Sequence, residues 1–394
     1  MPPTTPVRLD VVDALRGFAL LGILIVNILT FATPYYATGM PDPAVRTPLD
    51  AAAYALITLL FETKFYLLFS FLFGYSFTLQ MNAAQRAGDR FAPRMLRRHA
   101  GLLLFGAAHA LLLYHGDILT IYAALGIALL LVRHWTPRRA ARTGAALILT
   151  GGAVWLGLSA LEALSPSASA LTSNADAQRA LQGFTGTIVS TVQQHWREWQ
   201  TVWPTLIALQ GPSALAMFLL GLAAGKRQFL ARWTDYDAAL TRALRFMLPV
   251  GLLGAAFYTY TVHAPVPSAL ATAGFAVDTL TAPLLSAAYV TLFLRAARAW
   301  PTLVARLAPA GRMALSNYVL QSLACALIFH AYGLRLMGQL GIATVAALAL
   351  LIYAAQLRLS AAWLHRAQYG PLEWLLRALT LWTWPPLARR ARPT

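Results

Sequence analysis

Charge is what this chain has least of. Only 11% of its 394 residues are charged, and 14 of them are acidic. An ordinary soluble domain carries about 25% charged residues. With 58% of its residues hydrophobic, the chain has too little polar surface to wrap its own core in one soluble globule, so lipid must face much of it. Cysteine is almost missing too. The single thiol, Cys325, excludes an internal disulfide and a cysteine-based metal cluster. The sequence also lacks a phosphate-binding glycine loop, a dinucleotide glycine pattern, a Gly-x-Ser-x-Gly turn and any metal-ligand spacing, so no metal is expected. A cleavable leader is not evident. Asp10, Asp13 and Arg16 directly precede the first apolar run, and no small-residue cleavage motif follows cleanly. That run is expected to be a first membrane helix.

What is abundant is arginine. The net charge is +17, gathered into five clusters: Arg86 to Arg98, Arg133 to Arg142, Lys226 to Arg245, Arg295 to Arg312, and Arg358 to Arg392. Long apolar stretches separate them. The charge sits in short connections rather than on one amphipathic face, which argues against nucleic acid as a partner. Every second connection is basic, and those between are nearly free of Lys and Arg. Chains that cross a bilayer repeatedly retain basic loops on the cytoplasmic side.

A spanning helix needs about 20 apolar residues. Ten stretches qualify: 14–33, 54–81, 99–115, 117–133, 143–163, 203–225, 243–262, 269–294, 311–331 and 338–358. The expected fold is therefore all-α, a polytopic membrane helix bundle of about ten transmembrane helices in one domain over residues 1–394. With the N-terminus inside, 26 of the 31 Lys and Arg residues fall on the cytoplasmic side, so both termini are expected there. Residues 164–202 form the longest external loop, and their Trp196 and Trp199 read as an interfacial anchor or as the lip of an acceptor site. Residues 366–394, with Trp374, Trp382 and Trp384, suit an amphipathic segment on the inner leaflet, with membrane lipid as partner.

Polar side chains deep in a membrane cost about 2.5–3.5 kcal/mol each on insertion scales, so each needs a reason. Asp13 and Arg16 are an i,i+3 pair, and Arg16 shares a helix face with Asn27 about three turns on. The pair either anchors the first helix or presents Arg16 to an anionic phosphate. His109 lies inside an apolar run, and Asp117 follows across a tight hairpin, so the two can meet. A histidine with a carboxylate orienter suits a general base or nucleophile, while a lone membrane histidine also serves as helix-helix glue. Arg312, Ser316, Asn317 and Gln321 make a polar stripe, read either as glue or as ligand contacts. Glu62 and Lys64 lie two apart, on different faces, as an interfacial pair or as substrate contacts.

Several stretches carry a resemblance when taken in order. They are Leu9 to Ile23 (LDVVDALRGFALLGI), Lys64-Phe65 with Leu72-Phe73-Gly74, His109 with Gly116-Asp117-Ile118-Leu119, Gly311 to Tyr318 (GRMALSNY) with Gln321, and Gly370-Pro371-Leu372-Glu373-Trp374. Together they resemble the YeiB-like bacterial inner-membrane family, a domain-of-unknown-function group. That family is similar to a wider superfamily of transmembrane acyltransferases, which includes heparan-α-glucosaminide N-acetyltransferase and the enzymes that O-acylate bacterial surface sugars. The resemblance implies a multi-pass inner-membrane protein that moves an acyl group, often acetyl, from cytoplasmic acyl-CoA to a hydroxyl or amine acceptor outside, such as a glycan or a lipid-linked acceptor. The sugar O-acyltransferases carry an arginine on the first helix and a histidine 11 residues later. Arg16 matches the arginine, but Asn27 stands at the histidine position, so a base must come from elsewhere. On this reading His109 is the base, Asp117 orients it, Asn27 and Gln321 donate to the oxyanion, and Arg16, Asp13, Arg312, Asn317 and Gln321 hold the donor. A transporter or lipid flippase, or a non-catalytic membrane subunit, are the alternatives.

Overall fold

The computed structural model describes residues 10–164 and 174–388. Within them the chain forms fourteen α-helices, and the pairing of Ala367 with Ala388 is an isolated bridge rather than a strand. Leu9 of the first motif, residues 165–173 of the expected external loop and the terminal arginines Arg389, Arg390 and Arg392 lie outside the described residues.

Helix α1 (Asp10–Ala32) opens with Asp10 and Asp13 in its first turn, where carboxylates oppose the positive end of the helix dipole. Helix α2 (Pro48–Leu60) starts at a capping box made by Thr47 and Asp50, with Pro48 in the first turn. After a break at 61–63 comes α3 (Lys64–Arg86). A tight turn joins α4 (Phe91–Leu112) to α5 (Leu119–Leu131), and α6 (Pro137–Leu164) and α7 (Asn174–Thr185) follow. Helix α8 (Ile188–Lys226) runs for 39 residues from a second capping box at Thr187. The bundle closes with α9 (Asp237–His263), α10 (Ser268–Ala299), α11 (Pro301–Arg312), α12 (Ala314–Phe329), α13 (Ile342–Arg366) and α14 (Pro371–Leu381).

Seven helical segments are long and apolar enough to cross a membrane: α1, α2 joined to α3, α6, α8, α9, α10 and α13. The α11–α12 pair, bent by 77°, makes an eighth if it counts as one span. The ten expected stretches are largely helical, but 54–81 is broken at 61–63 and 311–331 at Met313, and seven or eight spans, rather than ten, are long and apolar enough to cross. Helix α5, with 13 residues, rises only about 20 Å, short of a hydrocarbon core of about 30 Å. Helix α4 carries Arg94, Arg97, Arg98 and His99 in its first half. The expected external loop 164–202 is largely helical, because α7 and the start of α8 occupy it.

Two close helix contacts set the frame around the site. On α1, a Cβ added at Gly17 would sit 2.4 Å from Leu307 O, and one at Gly311 would sit 1.7 Å from Asp13 O. Gly74 of α3 and Gly221 of α8 meet backbone in the same way, at 2.1 Å from Phe218 O and from Phe71 O. Only a residue without a side chain lets two membrane helices approach so closely. Helix α1 is thereby held in the centre, against α3, α11, α12 and α13. Leu149 and Val154 on α6, Phe246 and Leu253 on α9, and Leu350 and Leu351 on α13 stay exposed, as lipid-facing surface should.

Candidate functional site

Three side chains from two distant parts of the chain form a hydrogen-bonded line. His109, in the last turn of α4, meets Asp117 Oδ1 with its Nδ1 at 2.8 Å. Its Nε2 meets Ser322 Oγ, on α12, also at 2.8 Å. All three are dry, with relative exposures of 3%, 1% and 3%. Asp117 is fixed from its other oxygen as well, since Oδ2 accepts the Thr120 N–H at 2.7 Å and so caps α5. Gly106 makes the hairpin possible: a Cβ there would lie 2.7 Å from Thr120 N and 2.8 Å from Asp117 Oδ2. The His109 ring packs against Tyr318, with centroids 4.9 Å apart.

This line ends in a closed crevice between α1 and α12, too narrow for a water molecule, lined by Leu24, Asn27, Phe31, Tyr318, Gln321, Ser322 and Cys325. Asn27 is half-buried and makes no protein hydrogen bond among the described residues. Gln321 behaves differently from expectation. Its amide nitrogen donates to Gln356 Oε1 at 2.9 Å and to Leu20 O at 3.3 Å, and its Oε1 is buried without a partner. It therefore offers the crevice an acceptor, and the expected oxyanion donation falls to Asn27 alone. Asn317 lies one turn before Gln321 on the same face of α12. It donates to Ala310 O and Ser360 Oγ, and its carbonyl accepts from Gln356. The structure makes it glue between α11, α12 and α13.

One end of the bundle gathers arginines. Arg16 pairs with Asp13 at 2.8 Å and bonds Ser76. Arg98 lies within electrostatic reach of Arg16, Arg94, Arg377 and Glu373. Arg312 closes α11 beside Gly311, which touches Asp13, so it falls at the same end. Glu373 of α14 is a second acid within this group, beside Asp13. It accepts the Leu315 and Ser316 N–H groups at 2.7 and 3.1 Å and the Ser316 hydroxyl at 2.5 Å, capping α12 from another helix. Burial lifts its carboxyl above the usual carboxylate range, against the lowering effect of the Ser316 bonds. The motif Gly370 to Trp374 thus has a structural role that its sequence did not reveal.

Glu62 and Lys64 are not an interfacial pair. Lys64 is 0% exposed, with Asp278 of α10 at 3.1 Å and Thr58 O at 3.3 Å. Glu62 accepts from the Tyr258 hydroxyl at 3.2 Å. The break between α2 and α3 lets both side chains turn inward, and Thr63 takes a φ of +66 there, an uncommon conformation for a β-branched residue. The partner Asp278 lies more than 200 residues away in sequence, which hid it. At the opposite end from the arginines, Phe184 packs against His330, His195 and His115 at 4.5, 5.0 and 5.8 Å. Burial pushes the loop imidazoles down, His115 to about 4 and His330 to about 3. Phe31 links this aromatic plug to the site through Tyr114, stacked at 4.8 Å.

Comparison with known proteins places these features in a family. A family profile described as a protein of unknown function, DUF418, matches residues 224–383. Uncharacterized protein YxaH of Bacillus subtilis is 30% identical over 408 positions, covering 99% of this chain and 98% of that protein. The chain belongs to this YeiB-like family. Protein YeiB of Escherichia coli is 30% identical over 392 positions, with 94% of this chain covered. A 39.9 kDa protein of Bacillus acidopullulyticus is 29% identical over 391 positions. The match to YxaH covers 99% of the chain, so α1, α4 and α12 all lie within it.

Proposed function

We propose that the chain is a membrane acyltransferase that moves an acyl group from an acyl-CoA to a hydroxyl or amine acceptor on the other side of the bacterial inner membrane. The observation that carries this reading is the buried line Asp117–His109–Ser322. A carboxylate on Nδ1 holds the proton there and leaves the Nε2 lone pair facing a hydroxyl, the arrangement a general base needs. In this site His109 removes the proton from the attacking group, Asp117 stabilises the imidazolium, and Asn27 donates to the developing oxyanion.

The donor suits the layout. The arginines around Arg16 are a fit for its phosphates. From Arg16 to Asn27 is 11 residues along α1, a rise of about 16 Å. The pantetheine arm has this kind of reach, and it would place the thioester beside His109. The bias of basic residues puts the arginine end in the cytoplasm with both termini, so donor and acceptor approach from opposite ends. In purified protein, Arg16→Ala should weaken acyl-CoA binding roughly tenfold or more and alter bound turnover less. Asp117→Asn should cut turnover by about 10²–10⁴-fold with donor affinity kept. The reverse pattern would mean that the two ends are misassigned.

One observation favours a second reading, solute transport or lipid flipping. The spans α2–α3 and α11–α12 are both broken, and the first break holds buried Lys64, Glu62 and Asp278. Discontinuous helices with buried charge are a transporter feature. Counterflow of a labelled solute in proteoliposomes, lost in Asp278→Asn, would support it; no flux with any solute while CoA is released would leave only the enzyme.

A further inference from the structure

We propose that Ser322 is a nucleophile that carries the acyl group on its Oγ between donor and acceptor. This rests on the acyltransfer reading above and adds a covalent intermediate to it. Hydroxyls on membrane helices often bond the carbonyl four residues back, and this protein has several that do. Thr259, Thr279, Thr281 and Thr291 reach their own preceding-turn carbonyls at 2.8, 2.9, 2.8 and 3.0 Å. Ser322 departs from that pattern. Its preceding-turn carbonyl, Tyr318 O, stands at 3.4 Å, and its short bond goes to His109 Nε2 at 2.8 Å. With Asp117 on Nδ1, Nε2 is the acceptor and Ser322 the donor, which is how a serine is activated. Ser322 also lines the crevice that holds Asn27.

The chemistry closes on itself. Ser322 Oγ attacks the thioester carbonyl carbon while its proton passes to His109 Nε2. The oxyanion rests on the Asn27 amide. The C–S bond then breaks, Nε2 returns the proton to the departing thiolate, and CoA leaves as the free thiol. In the second half the acceptor hydroxyl or amine gives its proton to Nε2 and attacks the seryl ester. The C–Oγ bond breaks and the proton returns to Ser322. No oxidant or reductant enters. Donor and acceptor then occupy the site one at a time, arriving from opposite ends, and α1 and α12 must part to admit either, since the crevice between them is closed.

The test is acyl capture without acceptor. Purified full-length protein is incubated with radiolabelled acetyl-CoA and, in parallel, palmitoyl-CoA, then quenched and mapped by peptide mass. The expected result is one acyl group on the peptide containing Ser322, resistant to neutral hydroxylamine as an oxygen ester is. Ser322→Ala should lose the label and at least about a thousandfold in transfer. Ser322→Cys should keep a label that has become sensitive to neutral hydroxylamine, a signature that a misfolded variant does not give. Label on Cys325, lost in Cys325→Ala, would overturn the proposal, as would label on His109. Transfer activity with no label, or with label unaffected by Ser322→Ala, would overturn it and leave the acyltransfer reading standing. Neither label nor CoA release with either donor would overturn both.

Discussion

At the scale of single residues, burial and pairing separate what supports the membrane fold from what acts. Lys64 and Asp278 are both fully inside, 3.1 Å apart. Removing one partner of such a pair leaves a buried charge and costs about 3–5 kcal/mol, whereas replacing both with apolar groups is often neutral. Lys64→Met alone should therefore lower the thermal midpoint in detergent sharply, and Lys64→Met with Asp278→Leu should recover most of the loss. If the double variant is as unstable as the single, the pair has another role, such as binding a solute. His109 was readable in the sequence as a histidine inside an apolar run with a carboxylate eight residues on. Ser322 was not, because the residue that gives it meaning is 213 positions away and a serine on an apolar helix is ordinarily glue. Gln321 misled for the same reason. Its orientation is set by Gln356 on α13, which no local pattern reports.

At the scale of elements, the apolar stretches and the hairpin between α4 and α5 followed directly from periodicity and turn residues. The break between α2 and α3 was foreshadowed by the length of the stretch 54–81 and by Glu62 and Lys64 within it. The 77° turn of α11 at Met313 was not, because Glu373 on α14 caps α12 across a discontinuity that the apolar run conceals. The Phe184 plug at the far end was also hidden, since its three histidines come from three separate segments. It carries a pH dependence. His115 and His330 are held below the ordinary histidine value by burial, so the folded state binds fewer protons than the unfolded one. Their stabilising contribution is complete above about pH 6.5 and is lost as pH falls toward the folded values of about 4 and 3. For His330 alone the loss at pH 5 is about 2 kcal/mol. Both His330 ring nitrogens lack partners, so His330→Phe should fold normally at pH 7 and soften the fall in thermal midpoint between pH 7 and pH 5. Identical falls in variant and wild type would contradict this.

At the scale of the whole molecule, the architecture places an arginine-rich end, a dry Asp–His–Ser line and an aromatic plug in sequence along α1. Composition and the alternation of basic loops foretold a helical membrane protein. They set an orientation that reporter fusions can check. Fusions after Met95, Ala140, Asp235 and Ala305 should read cytoplasmic, and those after Asp42, Ala180 and Pro265 external. A cytoplasmic reading at Ala180 would invert the molecule and bring the donor to the wrong end. If the buried line cleaves a thioester, the purified protein releases CoA from acyl-CoA, and that release is what to measure. Wild type should release free thiol, and His109→Ala, folded to the same thermal midpoint, should release it at least about a hundredfold more slowly. Equal rates in the two proteins would contradict the account.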